Sequence, residues 1–269
     1  MTPVTTLVCL GDSFTEGMCD ELRPDGHHRG WADRLAEGLA KADLPGLPGP
    51  IEYANLAVRG KLLDQVVAEQ LPLALELHPD VVTFHAGPND VLRPGTRFAD
   101  LTARYEAAVR QLAGSGARVV LFTSLTRAGG RGRLADFLDA RFRRFNEAIR
   151  EIAARNGCDL VDNEVLTALS DRRFWAPDRL HLNELGHARV AAKALHALGV
   201  DDPDVLGGPV GWWAAPLPTL PHETRRETLA ADLAWVRVHL IPWIGRRIRR
   251  VSSGDGRQPK DRSPRLVSL

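Results

Sequence analysis

The chain has 269 residues, 44% hydrophobic and 26% charged, with a formal net charge of +1, a composition suited to one sizeable domain or to one domain plus an appendage. Its three cysteines, Cys9, Cys19 and Cys158, are too few and too scattered for a disulfide framework or a zinc site. Gly11-Asp12 interrupts the first apolar run before it could read as a signal peptide, and no segment nears 18 uninterrupted apolar residues, so a cytoplasmic location is the default expectation. The charge is uneven: residues 203–269 hold 11 Lys and Arg against 6 Asp and Glu, leaving 24 against 28 for residues 1–202.

The first strand-like run, Val4–Leu10, ends abruptly at Gly11-Asp12-Ser13-Phe14-Thr15-Glu16-Gly17. A helical pattern follows at Trp31–Asp43, then a proline- and glycine-rich loop, Pro45 to Pro50, and a second strand at Ile51–Leu56. Leu62–Leu77 reads as a helix, Asp80–His85 as a strand, Phe98–Leu112 as a helix and Arg118–Thr123 as a strand. A glycine- and arginine-rich loop at Gly129–Arg133 leads to a helix at Asp136–Asn156. There Phe137, Ala140, Arg141, Phe142, Phe145, Ile149 and Ile152 keep the spacing of a half-buried face. A short strand at Asp159–Val161 and a helix at Glu184–Leu198 complete the alternation. Short strands alternating with helices predict a parallel sheet covered on both faces, a three-layer α/β/α sandwich around five strands in flavodoxin-like style.

A strand that stops at a glycine-flanked serine places a hydroxyl at the C-terminal edge of the sheet, where open α/β folds build their sites. Far along the chain, Asp178-Arg179-Leu180-His181 lies in a loop before the last helix and offers a carboxylate and an imidazole. Hydroxyl, imidazole and carboxylate are the three parts of a nucleophile, its base and the base's orienter. Two more strand ends supply donors for a developing oxyanion. Asn55 to Gly60 follows the second strand and Gly87-Pro88-Asn89-Asp90 the third; a glycine lets its N–H approach a ligand closely, and an asparagine donates without charge.

Gly11-Asp12-Ser13, Gly60, Gly87-Pro88-Asn89-Asp90 and Asp178-Arg179-Leu180-His181 resemble the four ordered blocks of the GDSL, or SGNH, hydrolase family over roughly residues 4–200. The resemblance implies Ser13 as nucleophile, His181 as base and Asp178 as orienter. It implies the Ser13 and Gly60 N–H groups and the Asn89 side chain as oxyanion hole, with no metal and no cofactor. The expected activity is hydrolysis of acyl or acetyl esters of small molecules, lipids or sugars through an acyl-enzyme. The alternatives are acyl transfer by the same residues, or a silent surface-binding protein. A histidine base should give a rate that rises through the ordinary imidazole range of about 6–7.

Competing readings are weaker. His27-His28 lacks partners for a metal site, and His85 and His187 lack the upstream carboxylate that His181 has. Arg59-Gly60-Lys61 is no phosphate loop, because Asn55 stands where that motif needs glycine. Asp12 is expected to support the turn beside Ser13.

Residues 203–251 read as a proline-containing linker and a basic helical extension, and residues 252–269 as a disordered tail. Leu229, Leu233, Val236, Leu240 and Trp243 form an apolar stripe that Pro242 should break, followed by Arg246, Arg247, Arg249 and Arg250. The foremost expectation is that this helix packs on the main domain or a second subunit. A membrane surface, with Trp235 and Trp243 at the interface, ranks second, and nucleic acid is not expected. Carrying none of the four blocks, the extension is expected to govern docking rather than chemistry.

Overall fold

The computed structural model describes residues 4–42, 44–47, 49–125, 132–219, 225–242, 245 and 252–267. Its elements in order are β1 (Thr5–Gly11), α1 (Ser13–Glu16), α2 (Gly30–Lys41), β2 (Ile51–Asn55), α3 (Leu63–Glu69) and α4 (Leu71–Glu76). Next come β3 (Val81–His85), α5 (Pro88–Val91), α6 (Phe98–Gly114), β4 (Arg118–Phe122), α7 (Arg133–Asn156) and β5 (Asp159–Val161). The chain continues through α8 (Glu184–Ala197), α9 (Pro203–Leu206), α10 (Arg225–Trp235) and β6 (Asp261–Leu266). The sheet order is β5-β4-β3-β1-β2-β6. The first five strands are parallel and β6 runs antiparallel to β2.

Alternate residues of each strand feed opposite layers, which is why the strands read as continuous apolar runs. Leu7 and Cys9 pack with Trp31, Leu35 and Leu39 of α2 and with Val190 and Leu195 of α8. Val8 and Leu10 pack with Tyr105 and Val109 of α6 and with Phe145 and Ile149 of α7. Gly38 lies mid-helix because α2 and α8 touch there: a Cβ would sit 2.5 Å from Leu195 Cδ1. On α7 the expected face is buried from Phe142 through Phe145 and Ile149 to Ile152, whereas its N-terminal part is not: Phe137 and Ala140 are exposed, and the half-buried Arg141 sets its guanidinium 5.5 Å from the Phe137 ring centroid.

Because the chain passes from β1 to β2 on one side and then crosses back to β3 on the other, the strand order reverses at β1 and opens a crevice at its C-terminal end. Ser13 begins α1 at that crevice. The expected helix over residues 62–77 is divided at Gln70, where Pro72 cannot continue the first helix's hydrogen bonds. No helix among the described residues is long and apolar enough to cross a membrane.

The expectation of a disordered tail over residues 252–269 is corrected. Residues 252–267 are ordered against the body, and β6 makes a sixth strand by pairing Glu52 with Leu266 and Tyr53 with Arg265. Few apolar side chains are involved; backbone pairing and buried charge hold the segment. Lys260, 1% exposed, donates to the carbonyls of Glu16 (2.8 Å) and His28 (2.7 Å) and to the Asp33 carboxylate, itself 2% exposed. Arg23 bridges Asp33 (3.0 Å) and Asp261 (2.8 Å), and Arg265 pairs with both as well. Pro264 is tolerated because β6 is an edge strand. Of the two packings expected for the apolar stripe of α10, that on the main domain is not found for Leu229 and Leu233, which are exposed. The helix touches the body instead through Asp232 and Trp235. Trp243, Arg246, Arg247, Arg249, Arg250 and most of the loop at 129–133 lie outside the described residues.

Removing one partner of a buried ion pair strands the other, at a cost of about 3–5 kcal/mol. Lys260→Met should therefore lower the unfolding free energy by about that amount, read as a lower urea midpoint at unchanged m-value in equilibrium unfolding monitored by circular dichroism. An unchanged midpoint would show that the buried ammonium does not hold the segment.

Candidate active site

The backbone on which the site is built is gripped before Ser13 is reached. Gln70, buried at the break between α3 and α4, accepts from Gly11 N–H with Oε1 at 2.8 Å and donates from Nε2 to Gly11 O at 2.9 Å. A Cβ on Gly11 would come within 2.6 Å of the His85 carbonyl oxygen, so only glycine lets β1 turn here against β3. Asp12 then caps α1, its Oδ1 accepting from Phe14 N–H at 3.1 Å. This is the turn support expected of Asp12. Burial lifts its carboxyl from 3.8 to about 7, against the lowering effect of the Phe14 N–H.

The loop before α8 carries the imidazole and carboxylate. Asp178 Oδ1 accepts from the N–H groups of Leu180 (2.9 Å) and His181 (3.1 Å), an Asx-type turn that folds the loop back on itself. Its other oxygen, Oδ2, accepts from His181 Nδ1–H at 2.6 Å. Burial of His181 disfavours its charge, but the hydrogen bond and charge of Asp178, with Cys19 adding, outweigh it and lift the imidazole from 6.5 to about 9. Burial likewise opposes ionisation of Asp178, yet His181 and the two backbone N–H groups bring it down to about 2. The ring is thus fixed through Nδ1, leaving Nε2 as its free proton-accepting atom.

Ser13, Asn89 and His181 line a single cavity of about 100 Å³ at the C-terminal edge of the sheet. Phe14, Phe142, Trp175 and Leu180 supply apolar wall. Asn89 is held by two acceptors, Lys61 O at 3.0 Å and Asp12 Oδ2 at 3.2 Å. The neighbouring Asp90 Oδ2 accepts from Leu63 N–H at 2.9 Å, tying the loop after β3 to the loop after β2. Gly87 takes φ +104, and a Cβ there would meet Phe145 Cζ at 2.6 Å.

Gly60 is placed differently from the other predicted residues. It adopts φ +75, does not line the cavity and faces Ser252, whose hydroxyl donates to Gly60 O at 3.3 Å. Its own N–H has no acceptor among the described residues.

The two competing histidines are both pushed toward the neutral form. Burial carries His187 down to about 4; its Nδ1 accepts from Trp31 N–H at 3.2 Å while Nε2–H donates to Met18 O at 3.1 Å, so both ring nitrogens are engaged. Burial carries His85 down to about 3, with its ring 4.5 Å from that of Phe14 and Nδ1 3.9 Å from Asp12 Oδ1. Among the described residues, Cys19, Asp178 and His181 are the group close enough to share a metal ion, their donor atoms lying within 4.8 Å of one another. Sequence reasoning missed Cys19, Gln70 and Asp90 as parts of the site. Asp90 had a signal, standing beside Asn89, whereas Cys19 and Gln70 reach the site only through the fold.

A doubly wound parallel sheet thus carries a serine hydroxyl at the carboxyl end of its central strand and meets there a histidine, backed by an aspartate, from the loop before α8, the side-chain set of a serine hydrolase. Residues 9–189 match the GDSL-like Lipase/Acylhydrolase family, and the chain belongs to that family. It is a carboxylic ester hydrolase. Among solved structures, Axe2, an acetylxylan esterase from Geobacillus stearothermophilus, aligns at 22% identity and TM-score 0.59, covering 73% of this chain and 94% of its own. TesA aligns at 21% identity and TM-score 0.59, covering 72% and 98%. The lipase/acylhydrolase from Enterococcus faecalis aligns at 20% identity and TM-score 0.59, covering 76% and 96%. At these identities the likeness is one of fold. Comparison with curated protein sequences returned no match.

Proposed function

We propose that the protein cleaves esters of short acyl groups through a covalent acyl-enzyme on Ser13. The observation that carries this reading is the cavity shared by Ser13, Asn89 and His181, with His181 anchored from behind by Asp178 at 2.6 Å. His181 Nε2 takes the proton of Ser13 Oγ as the oxygen attacks the acyl carbonyl, and Asp178 stabilises the imidazolium that forms. The same proton passes to the leaving oxygen when the ester bond breaks. A water, deprotonated by His181, then attacks the acyl-serine; Ser13 Oγ leaves and takes that proton back from His181 as the acid is released.

The developing oxyanion is assigned three donors: the backbone N–H groups of Ser13 and Gly60 and the Asn89 side chain. Gly60 is assigned on its N–H, which has no acceptor among the described residues, although the residue itself stands outside the cavity lining. Asn89 exchanges Asp12 Oδ2 for the substrate oxygen; Asp12, raised to about 7 by burial, is a carboxyl already inclined to give up its charge. The cavity, about 100 Å³ and walled by Phe14, Phe142, Trp175 and Leu180, holds several waters' worth of ligand and suits a short acyl group better than a long chain. Axe2 is an acetylxylan esterase, and its catalytic mutants replace a serine, an aspartate and a histidine, the last two three positions apart, as are Asp178 and His181 here.

A fluorophosphonate probe should label Ser13, and Ser13→Ala should lose both labelling and hydrolysis of p-nitrophenyl esters, whose rates in the wild type should fall from acetate to palmitate. Labelling of another residue, or an active Ser13→Ala enzyme, contradicts the mechanism.

The base must be neutral to act, so kcat/KM falls as pH drops through the His181 pKa. Because Asp178 lifts that pKa to about 9, the acidic limb should lie above 6.5, shifted up from the ordinary imidazole range expected from sequence. EDTA should not alter it. A limb at or below 6.5 in a pH–rate profile would show that the Asp178 interaction does not govern the base.

Asn89→Ala should lower kcat by about 10²–10³ with KM little changed. An Asn89→Ala enzyme that melts earlier but keeps its kcat would assign the residue to the turn alone.

A further inference from the structure

The C-terminal extension carries no catalytic side chain, and its contacts nevertheless converge on the loops that do. Trp235 Nε1–H donates to the backbone carbonyl of Asp178 at 2.8 Å. Asp232, one helical turn earlier, accepts from Arg179 Nη1 at 2.7 Å and from Arg172 Nη1 at 3.4 Å. The Arg179 guanidinium also lies 5.2 Å from the centroid of a Trp235 ring. Arg179 is the residue that most needs holding, since it adopts φ +56 between Asp178 and His181. A non-glycine residue pays for that left-handed conformation with strain and keeps it only when its surroundings over-determine it.

Farther along, the extension meets the loop after β2. Ser252 donates to Gly60 O, and a Cβ on Gly254 would collide with the Arg59 carbonyl oxygen. Arg59 is itself held by Glu16, at the end of α1, through N–H at 2.6 Å and Nε at 2.8 Å. The segment is then anchored by the buried Lys260 and by β6. The aligned region of the solved structures leaves about a quarter of this chain unmatched, Axe2 covering 73% of it.

We propose that the C-terminal extension is a brace for the catalytic loops, with Trp235 and Asp232 as positioning residues that hold the Asp178–His181 turn in its working conformation. This rests on the reading of Asp178 and His181 as orienter and base. Trp235 fixes the peptide plane that leaves the Asp178 side chain, and Asp232 neutralises and tethers the strained Arg179. Together they keep Asp178 Oδ2 within reach of His181 Nδ1 throughout the catalytic cycle. If the turn is released, the carboxylate samples other orientations and supports the imidazolium less, so the chemical step slows while ester binding in the cavity is little affected.

The test uses the full-length chain. Trp235→Phe removes the N–H donor and keeps a ring, and Asp232→Asn removes the charge at nearly constant shape. Each should lower kcat by about three- to tenfold, the effect of one lost hydrogen bond on the transition state, with KM nearly unchanged. Each should also move the acidic limb of kcat/KM to lower pH, toward that of an imidazole without its carboxylate. Leu233→Ser, on the exposed side of the same helix, should leave both quantities alone. Fluorophosphonate titration supplies the number of active sites for every variant, so rates refer to competent enzyme. A wild-type enzyme that is not labelled at Ser13 refutes the mechanism itself. If the wild type is labelled and both variants keep its kcat and pH limb, or merely melt earlier with both unchanged, the brace is overturned.

Discussion

The site depends on how β1 ends. That strand is paired on both edges and buried on both faces, so its terminus is among the most constrained points of the fold. Gly11 passes so close to His85 that no side chain fits, and Gln70 satisfies both its N–H and its carbonyl oxygen. The two successive peptide groups that flank Gly11 are thus held by one buried amide, and neither can rotate without stranding a hydrogen bond at a cost of about 1–3 kcal/mol. Ser13 therefore leaves the strand in one direction, toward the crevice created by the reversal of strand order. Every other part of the site is brought to that point: His85 by the strand on one side, Asn89 by the turn that follows it, and His181 by the long loop from β5 to α8.

Electrostatics then separates three histidines that share one cavity wall. Burial above all drives His85 and His187 toward neutrality, and His187 is further engaged by hydrogen bonds at both ring nitrogens. His181 experiences burial too, but a carboxylate within 2.6 Å reverses the outcome. The difference lies in what each ring nitrogen meets. Only His181 combines a carboxylate behind one nitrogen with a free nitrogen in front. In the proposed reaction that pairing stabilises the imidazolium in the transition state and moves the pH at which the free enzyme's base becomes neutral above the ordinary imidazole range.

Much of the fold was legible because parallel strands buried on both faces leave uninterrupted apolar runs, and all five expected strands occur within a residue or so of their expected bounds. The site blocks were legible for a related reason: each is a short stretch at a strand end, where chain order and spatial order coincide. What escaped notice depends on distant pairs. Gln70 reads as an ordinary helical residue until it meets Gly11, 59 positions away. Residues 252–267 look too polar to pack, because hydropathy does not register an ammonium such as Lys260 surrounded by carbonyls and Asp33, nor the vacant edge of β2. Helix α10 was read from its apolar stripe, yet its contacts with the body come from Trp235 and Asp232.

The central claim is that Ser13 Oγ becomes acylated. It is tested most directly by rapid acid quench of the enzyme during turnover of p-nitrophenyl acetate, followed by proteolysis and peptide mass spectrometry. The account predicts an acetyl adduct on the peptide containing Ser13, formed at least as fast as turnover. It also predicts accumulation of that adduct when deacylation is slowed at low pH relative to acylation by an activated leaving group. An adduct on any other residue, or turnover with no adduct on Ser13 and a solvent oxygen transferred straight to the acid in a single step, would contradict it.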